Sequence, residues 1–259
     1  ASLPIEPAIS LTPTTGEGFL GHLGLEVHRS ATQWTLAPKL AEANASKFNL
    51  QLTSRCAISY IDVTHQLKLD PTYSVLCLSV SVRNLSDQAT LFIDNCAATL
   101  PLRDHLTELE EVTGRWAYEF QNQRHAITRS AYVRENWTGR SSHHMNPTLT
   151  LFEKTASSTN GDVLGVHLGW SGNHQMRIES LPDGRRMLQA GELLRPGELE
   201  LEPGGEYQSP HLYLCHSCHG QNGLTSQWHQ MIRREFIAKQ HPASARPVSY
   251  THLRAHETR

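Results

Sequence analysis

From Tyr73 to Arg83 the chain alternates strictly in its side chains. Leu76, Leu78, Val80 and Val82 fall on one face, and Val75, Cys77, Ser79 and Ser81 on the other. A period of two buries one face of a β-strand and wets the opposite one, so the Leu/Val face is the expected core face. Shorter β-type runs are predicted at residues 50–56, 57–63, 89–94, 116–121, 125–133, 148–154, 163–170, 175–180, 186–190, 199–201 and 211–215. Asn84-Leu85-Ser86-Asp87-Gln88 is turn-forming and predicts a hairpin between 73–83 and 89–94. Asn160-Gly161-Asp162, Ser171-Gly172-Asn173, Pro182-Asp183-Gly184 and Pro203-Gly204-Gly205 punctuate the later runs. One segment changes period. Leu224, Trp228, Met231, Ile232 and Phe236 recur at helical spacing, predicting a terminal helix within 223–237 capped by Thr225 or Ser226. Many short strands and a single helix predict an all-β fold, a sandwich or barrel.

The chain has 259 residues, 38% hydrophobic and 19% charged, enough for one large β-sandwich with a substantial core. Residues 1–240 are expected to form that domain. Pro242 and Pro247 mark a linker over 241–248. A formal net charge of −2 without charge runs argues against a nucleic-acid binder. No apolar run reaches membrane-spanning length. The start has neither the basic nor the apolar region of a signal peptide and lacks Met, so the expectation is a chain beginning inside a longer reading frame. Five scattered cysteines do not suggest a disulfide framework, which makes a reducing cytoplasm the default.

The most specific run is Trp137-Thr138-Gly139-Arg140-Ser141-Ser142-His143-His144-Met145-Asn146-Pro147. Around it, in order, come Gly114-Arg115-Trp116-Ala117-Tyr118-Glu119, Trp170-Ser171-Gly172-Asn173, Leu201-Glu202-Pro203-Gly204, Gln208-Ser209-Pro210 and Gly220-Gln221-Asn222-Gly223-Leu224. This series resembles the amino-terminal domain of glycoside hydrolase family 36 α-galactosidases over nearly the whole chain. The resemblance implies a two-sheet supersandwich of the galactose mutarotase type, followed in the family by a catalytic (β/α)₈ barrel. It also implies an α-galactoside substrate of the melibiose or raffinose type, a homo-oligomer, and no cofactor. Family chemistry is retaining hydrolysis by two aspartates, and neither is expected here. Lys68-Leu69-Asp70-Pro71 departs from the family's nucleophile motif after the Asp.

The resemblance places the Gly139–Arg140 loop near the active site of a neighbouring subunit. Trp137, Arg140 and His143 are therefore the candidate sugar-contacting residues, against ordinary roles in core or interface packing for Trp137 and in a buried or interface ion pair for Arg140. A second family segment is altered: aligned on Gly16 and Gly18, Phe19 and Gly21 replace its Asp and Arg. After Arg246-Pro247-Val248 the family pattern stops. Residues 249–259 resemble read-through from a sequencing adapter, a non-native tail. Two rival readings exist. A free-standing carbohydrate-binding module would need an exposed platform such as Trp137 or Tyr132. A mutarotase-like epimerase would need a His–Glu pair such as His143 and Glu119. Cys215-His216-Ser217-Cys218-His219 matches the string for haem attachment and offers zinc ligands; incidental cysteines at a strand end are the preferred reading. Trp116, Trp170 and Trp228 are expected in the core, and the helix face is expected to pack against the barrel.

Overall fold

The computed structural model describes residues 8–237 and 239. In chain order its strands are β1 (Leu25–His28), β2 (Lys39–Ala45), β3 (Asn49–Cys56), β4 (Ile61–Asp70), β5 (Val75–Asn84), β6 (Leu91–Leu102), β7 (Leu106–Arg115) and β8 (Tyr118–Ala126). They continue with β9 (Tyr132–Asn136), β10 (Thr148–Glu153), β11 (Val163–Leu168), β12 (His174–Ser180), β13 (Arg186–Glu192), β14 (Leu199–Leu201), β15 (Glu206–Gln208) and β16 (Leu212–Ser217). One sheet runs β1-β6-β13-β12-β9, with β14 also on β6. The other runs β2-β3-β4-β5-β16-β11-β10-β7-β8, with β15 also on β5. All these pairings are antiparallel, and the two sheets face each other across one core. That is the all-β fold predicted by the pattern, which left sandwich and barrel open, and the two-sheet sandwich that the resemblance implies.

The core takes the predicted face of β5. Leu78, Val80 and Val82 are buried with Val63, Leu91, Ile93, Leu151, Met176, Ile178 and Leu188. Ser79 and Ser81, expected to be wet, are buried too. β5 is interior to its sheet, between β4 and β16, so its short polar side chains are shielded from water.

The predicted hairpin at 84–88 is instead an arch between sheets, since β5 and β6 lie in different layers. Asn84, fully buried, makes the arch. Its Nδ2 donates to the carbonyls of Ala89 and Leu201 (2.9 Å each) and Glu202 (3.2 Å). Its Oδ1 accepts from the Ser86 amide and from Arg29 Nη2. A side chain that satisfies this many backbone groups can replace a strand ladder at a corner.

The predicted strand at 57–63 starts only at Ile61; residues 57–60 are the β3–β4 turn, with Tyr60 at φ 50°. The run at 125–133 is the end of β8 and the start of β9. Helix α1 (Gly220–Met231) passes into a π-helical turn, Ile232–Ile237. It begins earlier than Thr225 or Ser226 would allow, at His219, without a side-chain cap. Leu224 and Met231 pack on Tyr73, Val75, Phe152, Val163 and Cys215, on the outer face of the ten-stranded sheet. The helix thus packs first on its own domain. The approach is close: a Cβ on Gly165 would lie 2.7 Å from Trp228 Nε1. Beside this contact Ile232 and Phe236 stay exposed over an apolar groove of about 680 Å³. Of the three tryptophans expected in the core, Trp228 is half-buried against the cluster under α1, and Trp116 and Trp170 are exposed. The linker 241–248 and the tail 249–259 lie outside the described residues.

Candidate functional site

β9 ends at Asn136, and the chain then runs through the Arg140 loop to β10. Asn136 is fully buried and builds the loop's base. Its Oδ1 accepts from the Thr138 amide (3.1 Å) and hydroxyl (2.7 Å), while Nδ2 donates to the Arg140 carbonyl (2.8 Å). Gly139, at φ +78°, takes the left-handed turn and donates its amide to Asn173 Oδ1 (2.8 Å). The Ser141 amide donates to the Ser171 carbonyl (2.6 Å). The two motifs around Arg140 and Trp170 therefore form one paired loop system, held over β12 by buried His174, whose pKa burial lowers.

Below the loop lies an inter-sheet lock that the sequence did not reveal. Glu111 on β7 meets three groups: Tyr132 Oη (2.7 Å), Arg134 Nη1 (3.2 Å) and His125 Nε2 (3.2 Å). The Arg134 side chain is 2% exposed. Its Nη2 donates to the carbonyls of Val112 (2.7 Å) and His144 (3.2 Å), tying the loop to β7. The buried ion pair considered for Arg140 thus belongs to Arg134. Tyr132 is no exposed platform: it is half-buried, and burial followed by the Glu111 contact raises its pKa.

Arg140 and His143 come together. Both are exposed and line a cleft of about 490 Å³ with Val112, Glu119, Phe120, Ser141, Ser142 and Asn146. Glu119 Oε1 accepts the Ala117 amide (3.0 Å), so this carboxylate is engaged in the β7–β8 turn. That hairpin brings Phe120, 78% exposed, to the cleft and leaves Trp116, 81% exposed, at its turn. Trp137 is not among the residues lining the cleft. Its indole donates to Glu135 Oε2 (2.9 Å) and the Arg195 guanidinium lies 5.3 Å from its ring centre, so one ring face is taken by a cation. The altered Gly16–Gly21 segment packs elsewhere. The His22 amide donates to Glu179 Oε2, and Gly21 abuts Leu181, at the end of β12 opposite the loop.

The cysteine string separates across its strand. Cys215 is buried under α1, with its thiol pushed up to about 12 by burial, whereas His216 and Cys218 are exposed. Such a thiol neither ionises nor reaches a metal at neutral pH. With Cys56 and Cys96 also buried and Cys77 half-buried, a native-state assay with a thiol reagent at pH 8 is expected to show one fast thiol, Cys218. A Cys218→Ser chain is expected to lose that phase. Two fast thiols would contradict the placement of Cys215.

A family model described as the glycosyl hydrolase family 36 N-terminal domain matches residues 3–202. The chain belongs to that family. An Escherichia coli α-galactosidase is 35% identical over 235 residues, covering 91% of this chain and 33% of the relative. A Lactobacillus acidophilus α-galactosidase is 26% identical, covering 72% of this chain and 26% of its own. The chain thus spans about a third of the length of the relatives it matches. The solved α-galactosidase of Geobacillus stearothermophilus matches with a TM-score of 0.80 at 20% identity, covering 86% of this chain and 34% of that one. At that identity the likeness speaks for the fold: this family 36 sandwich has the architecture of a solved relative.

Proposed function

We propose that this chain is the amino-terminal scaffold of an α-galactosidase whose catalytic carboxylates lie outside these residues. The supporting observation is the 35% identity to the E. coli α-galactosidase over nearly all of this chain and only a third of that enzyme. Raffinose and stachyose complexes are known for variants of the Geobacillus enzyme, so oligosaccharides ending in α-galactose are the proposed substrate class. The apolar groove beside α1, edged by Ile232 and Phe236, is the face that receives the catalytic part. Arg140 and His143 are the groups that approach the sugar. The exposed Trp116 and Phe120 extend this surface toward a neighbouring subunit in a homo-oligomer, as large exposed aromatics at a hairpin tip suit an interface. Five free cysteines suit a reducing compartment such as the cytoplasm.

The test is a chimera in which the matched region of this chain replaces its counterpart in the E. coli enzyme. Raffinose hydrolysis is expected to persist. Arg140→Ala in the chimera is expected to lower kcat/KM about tenfold, the worth of one charged hydrogen bond, chiefly through KM. A folded chimera without activity would overturn the scaffold reading. An Arg140→Ala chimera equal to its parent would remove Arg140 from the sugar site.

A further inference from the structure

We propose that His105, Glu153, Asp162 and His216 form a surface site for one divalent transition-metal ion of the zinc type. One ligand atom each from His105, Glu153 and Asp162 lies within 4.8 Å of the others. His105 Nε2 is 3.1 Å from Asp162 Oδ2, and His216 Nε2 is 3.5 Å from Asp162 Oδ1. A tetrahedral ion with bonds of about 2.0–2.1 Å sets its ligand atoms about 3.4 Å apart. The two His–Asp spacings are close to that, Glu153 lies within 4.8 Å of both His105 and Asp162, and His216 approaches from the other oxygen of Asp162, so binding draws Glu153 and His216 inward.

The four side chains come from well-held positions. Leu106, next to His105, pairs with Glu153 across β7 and β10. The Glu153 amide donates to the Asp162 carbonyl (3.0 Å), fixing the two carboxylate residues at the mouth of the β10–β11 hairpin. Gly161, at φ +95°, bridges to His219, and His216 on β16 pairs with Leu164 on β11. Thr155 Oγ1 donates to Glu153 Oε1 (2.9 Å), the kind of outer contact that orients a ligating carboxylate. Among the described residues neither Glu153 nor Asp162 forms an ion pair with a lysine or arginine; the partners of the Asp162 carboxylate there are the two imidazoles. Two carboxylates facing two partly exposed imidazoles suit a borderline ion better than calcium or magnesium, which prefer all-oxygen sites. Strand alternation turns His216 to the side opposite Cys215, so the site uses one histidine of the C-x-x-C-H string and neither cysteine. A bound ion ties the β6–β7 turn to the β10–β11 hairpin and to β16.

The experiment titrates the chain with Co²⁺, followed by visible absorption, and with Zn²⁺, followed by thermal unfolding. The expected result is one equivalent of Co²⁺ giving a ligand-field band that Zn²⁺ displaces, and an unfolding midpoint raised by Zn²⁺ and not by Ca²⁺. His105→Gln and Asp162→Asn, both at the surface, are each expected to weaken binding about tenfold or more and to abolish the midpoint shift. His229→Ala, at an exposed site on α1, is expected to leave both intact. Should either variant fold poorly by circular dichroism, Glu153→Gln supplies the same comparison. No saturable uptake by the parent chain, or uptake undiminished in the cluster variants, overturns the proposal.

Discussion

Glu111→Ala is expected to destabilise the chain by about 3–5 kcal/mol, because it strips from a buried guanidinium the one carboxylate paired with it among the described residues. Arg134 is held inside the sandwich with its Nε and Nη1 lacking good hydrogen-bond geometry, so the nearby Glu111 charge supplies much of its compensation. Tyr132 loses its acceptor at the same time. For a chain of this size the loss corresponds to an unfolding midpoint lowered by roughly 10 °C. The double change Glu111→Ala with Arg134→Met is expected to recover much of it, since an apolar side chain carries no desolvated charge. A midpoint within about 2 °C of the parent for Glu111→Ala alone would mean that the lock carries no energy. The same lock holds the His144 carbonyl. Its loss is therefore also expected to loosen the Arg140 loop, measurable as faster amide exchange at Gly139 and Ser141.

The second large effect is expected at the arch. Asn84→Ala removes the donor for the buried Leu201 carbonyl and for the part-buried carbonyls of Ala89 and Glu202, and the acceptor for Arg29, at a cost of about 2–4 kcal/mol. Urea unfolding measures this as a lower midpoint with an unchanged slope. Asn84→Asp keeps the acceptor for Arg29 but sets a buried carboxylate oxygen against the carbonyls of Ala89, Leu201 and Glu202, so it is expected to cost at least as much as alanine. A loss below about 0.5 kcal/mol for Asn84→Ala would show that water serves the arch as well as the amide does.

These two sites also show what the sequence made legible. Alternation located β5, β10, β11, β12 and β13, because their apolar faces meet the core. It missed β7, where Glu108, Glu110 and Glu111 look hostile to a strand. Glu108 is satisfied by Arg124 on β8 at 2.6 Å and Glu111 by Arg134, partners that no local pattern displays. It missed β2 because that edge strand is exposed throughout and has no face to bury. It took Asn84 for a hairpin turn, since Asn, Ser and Asp favour any reversal, whether within a sheet or between two. Motif order named three candidate residues, of which the fold brings two together. Arg140 and His143 share a cleft, while Trp137, adjacent in sequence, turns to Glu135 and Arg195. Trp116 and Trp170 were expected inside on hydrophobicity alone, but both stand exposed on connections between strands.

The central claim is that this sandwich scaffolds chemistry performed by residues beyond it. Turnover of a chromogenic α-galactoside by the purified chain, beside the E. coli chimera at equal concentration, tests it most directly. The expected result is hydrolysis by the chimera and none above buffer by the chain. Saturable turnover by the chain itself, abolished by a change within the Arg140–His143 cleft, would contradict the account.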